Sequence, residues 1–359
     1  MKRSILATLI FTGVWAAMWD TPEADLSLAR LHITTPAGSI QNRVKLSVNL
    51  SGLTSLTYLY LEDTASERTS SLPIIKEYPQ AQVSLRFGKF EVGLSGEQTL
   101  DAGGEIWEQE SPDVLRSLDL YRLSAEAAWW PSQRVGLVAG YNHHLGWLTR
   151  EEKDSTASQA MEAFGHTPGF SAGLLLALTE RLQLDVVLHS PTTPLQLKGT
   201  ISNQKDIQAS ISLPLKVLTD VRIAATDRFE WFFTLSYAFT SSMDSLYLDS
   251  GADYVGPLST IPLYEYNTLA LQIGAGYRII PPLNLRLWGK YSSSPVDELR
   301  LAWPNPGGIS LAAQGIWEQG VWRFAAGIGT RRFHPILSEK GTRLEGNSYH
   351  LRIGLGLVI

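Results

Sequence analysis

The chain contains no cysteine in 359 residues. That excludes disulfides, thiolate metal sites and cysteine nucleophiles. Beyond its first twenty residues it also lacks any run of ~18 uncharged apolar residues, so it is not a helical membrane protein. It has no strong charge of either sign: the formal net charge is −5 and no basic tract is present, which argues against a nucleic-acid partner. Histidines are few and scattered, at 32, 143, 144, 166, 189, 334 and 350, with none in a metal-ligand arrangement. No metal or cofactor is expected, and neither is catalysis. His189-Ser190 is the one neighbouring pair that tempts a hydrolase reading, and in an extended strand its two side chains point to opposite faces.

What is present is alternation. Tyr121, Leu123, Ala125, Ala127 and Trp129 share one strand face, with Arg122, Ser124 and Glu126 on the other. Leu283, Leu285, Leu287 and Tyr291 likewise oppose Asn284, Arg286, Lys290 and Ser292, and Tyr349, Leu351, Ile353, Leu355 and Leu357 oppose His350 and Arg352. Such segments run to ten residues or more, longer than strands of soluble sheets and suited to a tilted membrane crossing. Their connectors alternate as well. Only a few residues separate strands at Phe87–Phe90, Trp130–Arg134, Thr179–Leu182, Asp227–Glu230, Ile280–Leu283 and Glu318–Val321. The other connectors, 99–117, 146–168, 241–265, 294–308 and 331–347, are long and polar. Short turns on one rim and long loops on the other characterise an outer-membrane barrel. Aromatics near the short turns (Trp129, Trp130, Phe229, Trp231, Trp317, Trp322) suit an interfacial belt.

These patterns predict an all-β fold, a transmembrane antiparallel β-barrel of about fourteen strands with short periplasmic turns and long extracellular loops. Residues 1–16 read as a signal peptide, with Lys2 and Arg3 before a short apolar stretch. Residues 17–42 form a short N-terminal segment, and 43–359 the barrel. The count of fourteen takes 43–62 as one long strand and Ser190–Pro214 as an extracellular hairpin extension. The spacing Arg352-x-Gly354-x-x-Leu357-x-Ile359 suits recognition of the last strand by the barrel-assembly machinery, with outer-membrane lipid as the surrounding partner.

Inward-facing candidates are basic in excess: Arg86, Arg122, Lys216, Arg222, Arg278, Arg286, Lys290, Arg323 and Arg352 against Glu91, Glu97, Glu126, Asp185 and Asp220. They can pair to fill the lumen or attract a carboxylate head group. Apolar loop residues, Leu100, Ile106, Trp107, Met161 and Phe164, can pack a lid or form an entry groove. Trp107, Phe164, Arg122, Arg286 and Lys290 are therefore the candidate ligand-binding residues for a hydrophobic small molecule. Gly93, Gly96 and Gly103 mark the third strand as a place where the wall can bend or open.

Three stretches resemble the FadL/TodX family of outer-membrane hydrophobic-compound transporters. They are His189-Ser190-Pro191 through Leu197-Lys198-Gly199; Leu213-Pro214 followed by Trp231–Tyr237; and Ile273-Gly274-Ala275-Gly276-Tyr277 with Leu285-Arg286-Leu287-Trp288-Gly289-Lys290-Tyr291 and Ser294-Pro295-Val296. Thr35-Pro36-Ala37-Gly38 stands where the family has asparagine-proline-alanine-glycine. The resemblance implies passive uptake of long-chain fatty acids or aromatic hydrocarbons, with lateral exit through the wall. The short 17–42 segment implies a reduced version of the family's lumen hatch. Two other functions stay open: a barrel that docks proteins, like the shuttle of type IX secretion, and an outer-membrane hydrolase.

Overall fold

The computed structural model describes residues 45–62, 68–70, 74–103, 113–153, 158–190, 192–201, 205–243, 245–249, 260–262, 266–294, 307–337 and 343–359. The predicted signal peptide, the 17–42 segment and Trp107 lie outside the described residues.

In chain order the strands are β1 (Lys45–Glu62), β2 (Arg68–Ser70), β3 (Ile74–Phe87), β4 (Phe90–Gly103), β5 (Asp113–Trp129), β6 (Val135–Lys153) and β7 (Ser158–Ala177). There follow β8 (Leu182–His189), β9 (Leu195–Ile201), β10 (Lys205–Ile211), β11 (Lys216–Ala224), β12 (Phe229–Ala238), β13 (Ser245–Asp249) and β14 (Thr260–Pro262). The last six are β15 (Thr268–Ile280), β16 (Leu283–Ser292), β17 (Gly308–Gln319), β18 (Trp322–Phe333), β19 (Ile336–Leu337) and β20 (Arg343–Val358). Fourteen of them (β1, β3–β8, β11, β12, β15–β18 and β20) build the wall, every neighbour antiparallel. The ring closes where β1 pairs with β20 from Ser47–Val358 to Glu62–Arg343. The segment 43–62 is thus one long strand, as parity required. Closure of the ring pairs every wall strand on both sides over at least part of its length, the condition for placing β-structure in lipid.

The two faces carry opposite chemistry. Leu94, Leu287, Leu311, Ile328 and Ile353 stand largely exposed on the outer wall. Inside, Gln80, Gln82, Arg86, Glu91, Arg122, Glu126, Asn142, His144, Asp185 and Gln272 are buried. Apolar outside and polar inside inverts a water-soluble protein and marks the outer wall as the lipid-facing surface. Phe87 stacks on Phe90, Phe229 meets Trp231 edge-on, and Trp317 packs on Phe324, all beside the short turns. A second aromatic set, Tyr121–Trp147–Phe164, lies toward the opposite rim. The tightest turns place Gly88 and Gly320 at φ of 57° and 61°, which only glycine adopts freely.

Several strands outrun their predicted limits. The stretch 146–168 is not a long loop: β6 and β7 pair from Val135–Leu176 to Lys153–Ser158. β18 likewise carries on to Phe333, and β20 starts at Arg343. Trp130 is not part of the outer belt. It turns inward, 7% exposed, covers Gly136 and lies under the Arg86 guanidinium. There it joins Ala128, Val138, Leu175, Val187 and Leu218 in an apolar cluster that fills one side of the lumen near the short turns.

The extension at 190–214 is present as the hairpin β9–β10, stacked above β8 and β11 on the long-loop side. β9 pairs with the outer part of β7, and β10 pairs with β13.

Candidate functional site

Two wall ladders stop low in the wall: β7–β8 ends at Ser171–His189, where β9 takes over beside β7, whereas among the described residues no strand takes over between β3 and β4. Their pairing runs from Phe87–Phe90 at the turn to Ala81–Gly96 and stops there. Above that point β3 stays with β1 as far as Ile74–Thr57, and β4 follows β5 as far as Gly103–Ser117. Two neighbouring strands therefore diverge toward the long-loop rim. The causes are local. Pro79 has no N–H to offer a neighbour and is tolerated in a sheet only at an edge. Gly96 carries no side chain, and β4 shifts register against β5 between Gln98 and Leu100, leaving Thr99 as an extra residue that bends the strand. With ~3.3 Å of rise per residue and a ~40° tilt, the seam starts about 15–20 Å above the Gly88–Lys89 turn, in the outer half of a ~25 Å apolar band.

Among the described residues, two stacked cavities lie in the lumen. The larger, ≈250 Å³, lies toward the short turns, and Asp185, Asp220, Arg222, Arg286, Arg323 and Arg352 line it among others. Its charges are partly paired: Arg286 donates to Glu230 at 2.9 Å, Arg222 reaches the same carboxylate at 3.8 Å, and Arg323 meets Glu318 at 3.1 Å. Asp185 and Asp220 face each other across β8 and β11, with the Thr234 hydroxyl donating to Asp220. The smaller cavity, ≈100 Å³, lies above it. Its charged lining is wholly basic, with Lys290, Arg331 and Arg352 alongside His350, among the small or apolar side chains of Leu53, Ala312 and Phe333. Trp288 and Arg352 border both cavities and separate them.

A third polar group sits on the inner face beside the seam. Arg122 is buried, ion-paired to Glu97 of β4, and donates to Nδ1 of His189 at 3.1 Å. Beside it, Ser171 donates to Glu126, and Ser124 donates to Asn142.

The predicted site residues are thus dispersed. Arg286 belongs to the larger cavity, Lys290 to the smaller, and Arg122 to the network at the seam. Phe164 is not in a loop groove: it sits in β7 on the outer wall, 42% exposed, against Trp147. Gly93 pairs with Ser84 and Glu126, Gly96 closes the β3–β4 ladder, and Gly103 ends β4. Arg278 was expected inside but is exposed near the short-turn rim. Arg331 was missed because it stands where the predicted strand gives way to a connector; the alternation that places Arg323 inside reaches it four pairs of residues later along β18. His189 and Ser190 do not cooperate, since His189 faces Arg122 and the Ser190 hydroxyl accepts from the Phe170 amide.

No family model and no curated protein matches the chain. Solved structures do. A FadL homologue from Pseudomonas aeruginosa superposes with a TM-score of 0.71 at 14% identity, over 97% of this chain and 99% of that one. The toluene transporter TodX from Pseudomonas putida gives 0.67 at 13% identity, over 96% of each chain. The toluene transporter TbuX from Ralstonia pickettii gives 0.60 at 12% identity, again over 96% of each. The chain therefore shares the fold of the FadL-like outer-membrane barrels.

Proposed function

We propose that the chain is an outer-membrane channel for passive uptake of hydrophobic molecules, which leave sideways through the wall between β3 and β4. The observation that carries this reading is the loss of β3–β4 pairing above Ala81–Gly96, where among the described residues no further strand takes the lost partner's place. A greasy solute gains nothing by crossing to the aqueous periplasm. A gap opening onto lipid lets it move between apolar surroundings. Toward the short turns the lumen is lined by charged side chains around the larger cavity, surroundings that disfavour passage of an apolar solute. The solved barrels of the same fold include transporters of toluene, which supports the same class of cargo.

Between the two expected cargoes, the smaller cavity favours a molecule with a carboxylate head group. Its charged lining is basic, and its remaining surface is largely apolar or small. Long-chain fatty acids fit that combination, whereas an aromatic hydrocarbon makes no use of the cations. Outer-membrane lipid surrounds the barrel, and the assembly machinery receives it through β20.

The test is uptake of a labelled fatty acid into vesicles containing the purified barrel. Replacing Gly93 and Gly96 with leucine is expected to reduce uptake several-fold while the barrel still folds, because an outward Cβ at 96 already lies 3.3 Å from Leu123. Unchanged uptake in that variant excludes the lateral route.

A further inference from the structure

We propose that the β9–β10 hairpin is a hinged flap through which apolar solute enters the lumen, a role that rests on the transport reading above. The wall changes character along one line. Below it, β8 pairs with β7 up to His189–Ser171 and with β11 up to His189–Lys216. Above it, β9 resumes pairing with β7 at Gln196–His166 and with β10 at Leu195–Ile211. In between, residues 167–169 of β7 have no ladder partner on that side, Phe170 keeps a single backbone bond there (its carbonyl accepts from Ser190 N at 2.8 Å), and the strands break twice at the same height, after His189 and after Ile211. Pro168, Pro194 and Pro214 all fall on this line, and none can donate a ladder hydrogen bond. Side-chain hydroxyls substitute: Phe170 N donates to Ser190 Oγ at 2.9 Å, and Thr167 Oγ1 donates to the Thr193 carbonyl at 3.0 Å. Such a line is a natural hinge, since the sheet is held there by a few local bonds instead of a cooperative ladder.

The hairpin folds inward across this hinge. A Cβ placed on Gly146 of β6 would lie 2.6 Å from Leu195 and 2.9 Å from Leu197, although β7 stands between β6 and β9. Gly165 and Gly199 leave no room for a side chain where β9 crosses β7, each facing a backbone carbonyl of the other strand. The inner face so formed is dry and apolar: Leu118, Leu120, Leu195 and Leu197 are wholly buried, and Leu148 and Ile211 nearly so. A hinged, glycine-seated, leucine-faced hairpin suits a solute that is itself apolar. Parting it in water exposes leucine, which is unfavourable, whereas an incoming alkyl chain replaces each lost contact. Opening is thereby coupled to the cargo.

The absence of native cysteine makes the test clean. Glu162 and Thr200 face each other across β7 and β9 with both side chains exposed, so a Glu162→Cys/Thr200→Cys pair staples the hairpin to the wall. Vesicle uptake of a pyrene-labelled alkyl carboxylate is expected to fall several-fold when the staple is oxidised and to recover on reduction. Equal uptake in both states, with the staple verified on a non-reducing gel, overturns the flap. A second readout does not depend on transport. Ala163, beneath β9 and 5% exposed, is replaced by cysteine in the otherwise unaltered chain and offered a maleimide. Labelling of the folded barrel, accelerated by the alkyl carboxylate, is expected; labelling only after denaturation overturns the proposal. If the barrel takes up nothing, the transport reading fails while the thiol result still decides whether the hairpin opens.

Discussion

Ala81 and Gly96 are the last facing pair between β3 and β4, and Pro79 lies just beyond them on the strand that keeps its other neighbour. Cross-linking can map this divergence without any transport assay. Cysteines at Val83 and Leu94, a facing pair on the closed half, are expected to form a disulfide readily. Cysteines at Pro79 and Gln98 would face each other only if the ladder continued, and they are expected to stay reduced, because a bridge needs Cα atoms within ~7 Å. Equal oxidation of both pairs would show the seam to be closed in solution.

The Glu97–Arg122 pair spans β4 and β5 at the foot of the seam. Glu97→Gln leaves a buried guanidinium without its counter-charge, and the expected loss is about 3 kcal/mol, within the range for breaking a buried pair. Glu97→Gln/Arg122→Met removes both charges and is expected to cost less than the single change. Equilibrium urea unfolding in lipid vesicles measures both variants.

Leu287 stands on the lipid face, 64% exposed, in the middle of the apolar band. Leu287→Arg is expected to destabilise the barrel by ~2–4 kcal/mol. Gln314→Arg, which adds the same side chain on the lumen side of β17, is expected to cost far less. A similar penalty at both sites would contradict the assignment of faces.

Trp288 separates the two lumen cavities. Trp288→Ala is expected to join them and to raise single-channel conductance in planar bilayers, at a cost in stability of up to ~3–5 kcal/mol for truncating a buried tryptophan. Conductance equal to that of the parent would place the constriction elsewhere.

Lys290 and Arg331 supply charge to the smaller cavity. Lys290→Met/Arg331→Met is expected to weaken binding of a fluorescent fatty acid by about tenfold, the equivalent of one lost charge-assisted hydrogen bond of ~1.4 kcal/mol. Binding of the matching neutral alcohol is expected to stay the same. A parallel loss for acid and alcohol would mean that the cavity recognises the chain alone.

Much of this architecture was legible because a barrel writes its two solvents into alternate residues. Leu285 and Leu287 against Arg286 and Lys290 announced an outer and an inner face. The Gly88 and Gly320 turns announced the short rim, and the parity of connectors placed the extension at 190–214. The seam was legible only in part. Gly93 and Gly96 lie on one of the two strands that diverge, but the divergence also involves Pro79 on the adjacent strand and an extra residue at Thr99. Which residues face each other across two strands is a matter of register, and no local pattern reports it. Phe164 and Arg331 were misplaced for a related reason: strands that extend beyond the membrane lose the apolar stripe that makes them recognisable. Trp130 was assigned to the belt from its position alone, yet packing over Gly136 draws it inward.

The closing ladder between β1 and β20 has a mechanical consequence. It is among the longest in the wall, whereas β3 and β4, neighbours in sequence, are joined over little more than a turn and its flanks. A force applied to the ends of β1 and β20 must therefore shear a junction of sixteen facing pairs, whereas β3 and β4 share only seven. The barrel is firmly joined where its first and last strands meet, so it can loosen at the seam and still remain a ring.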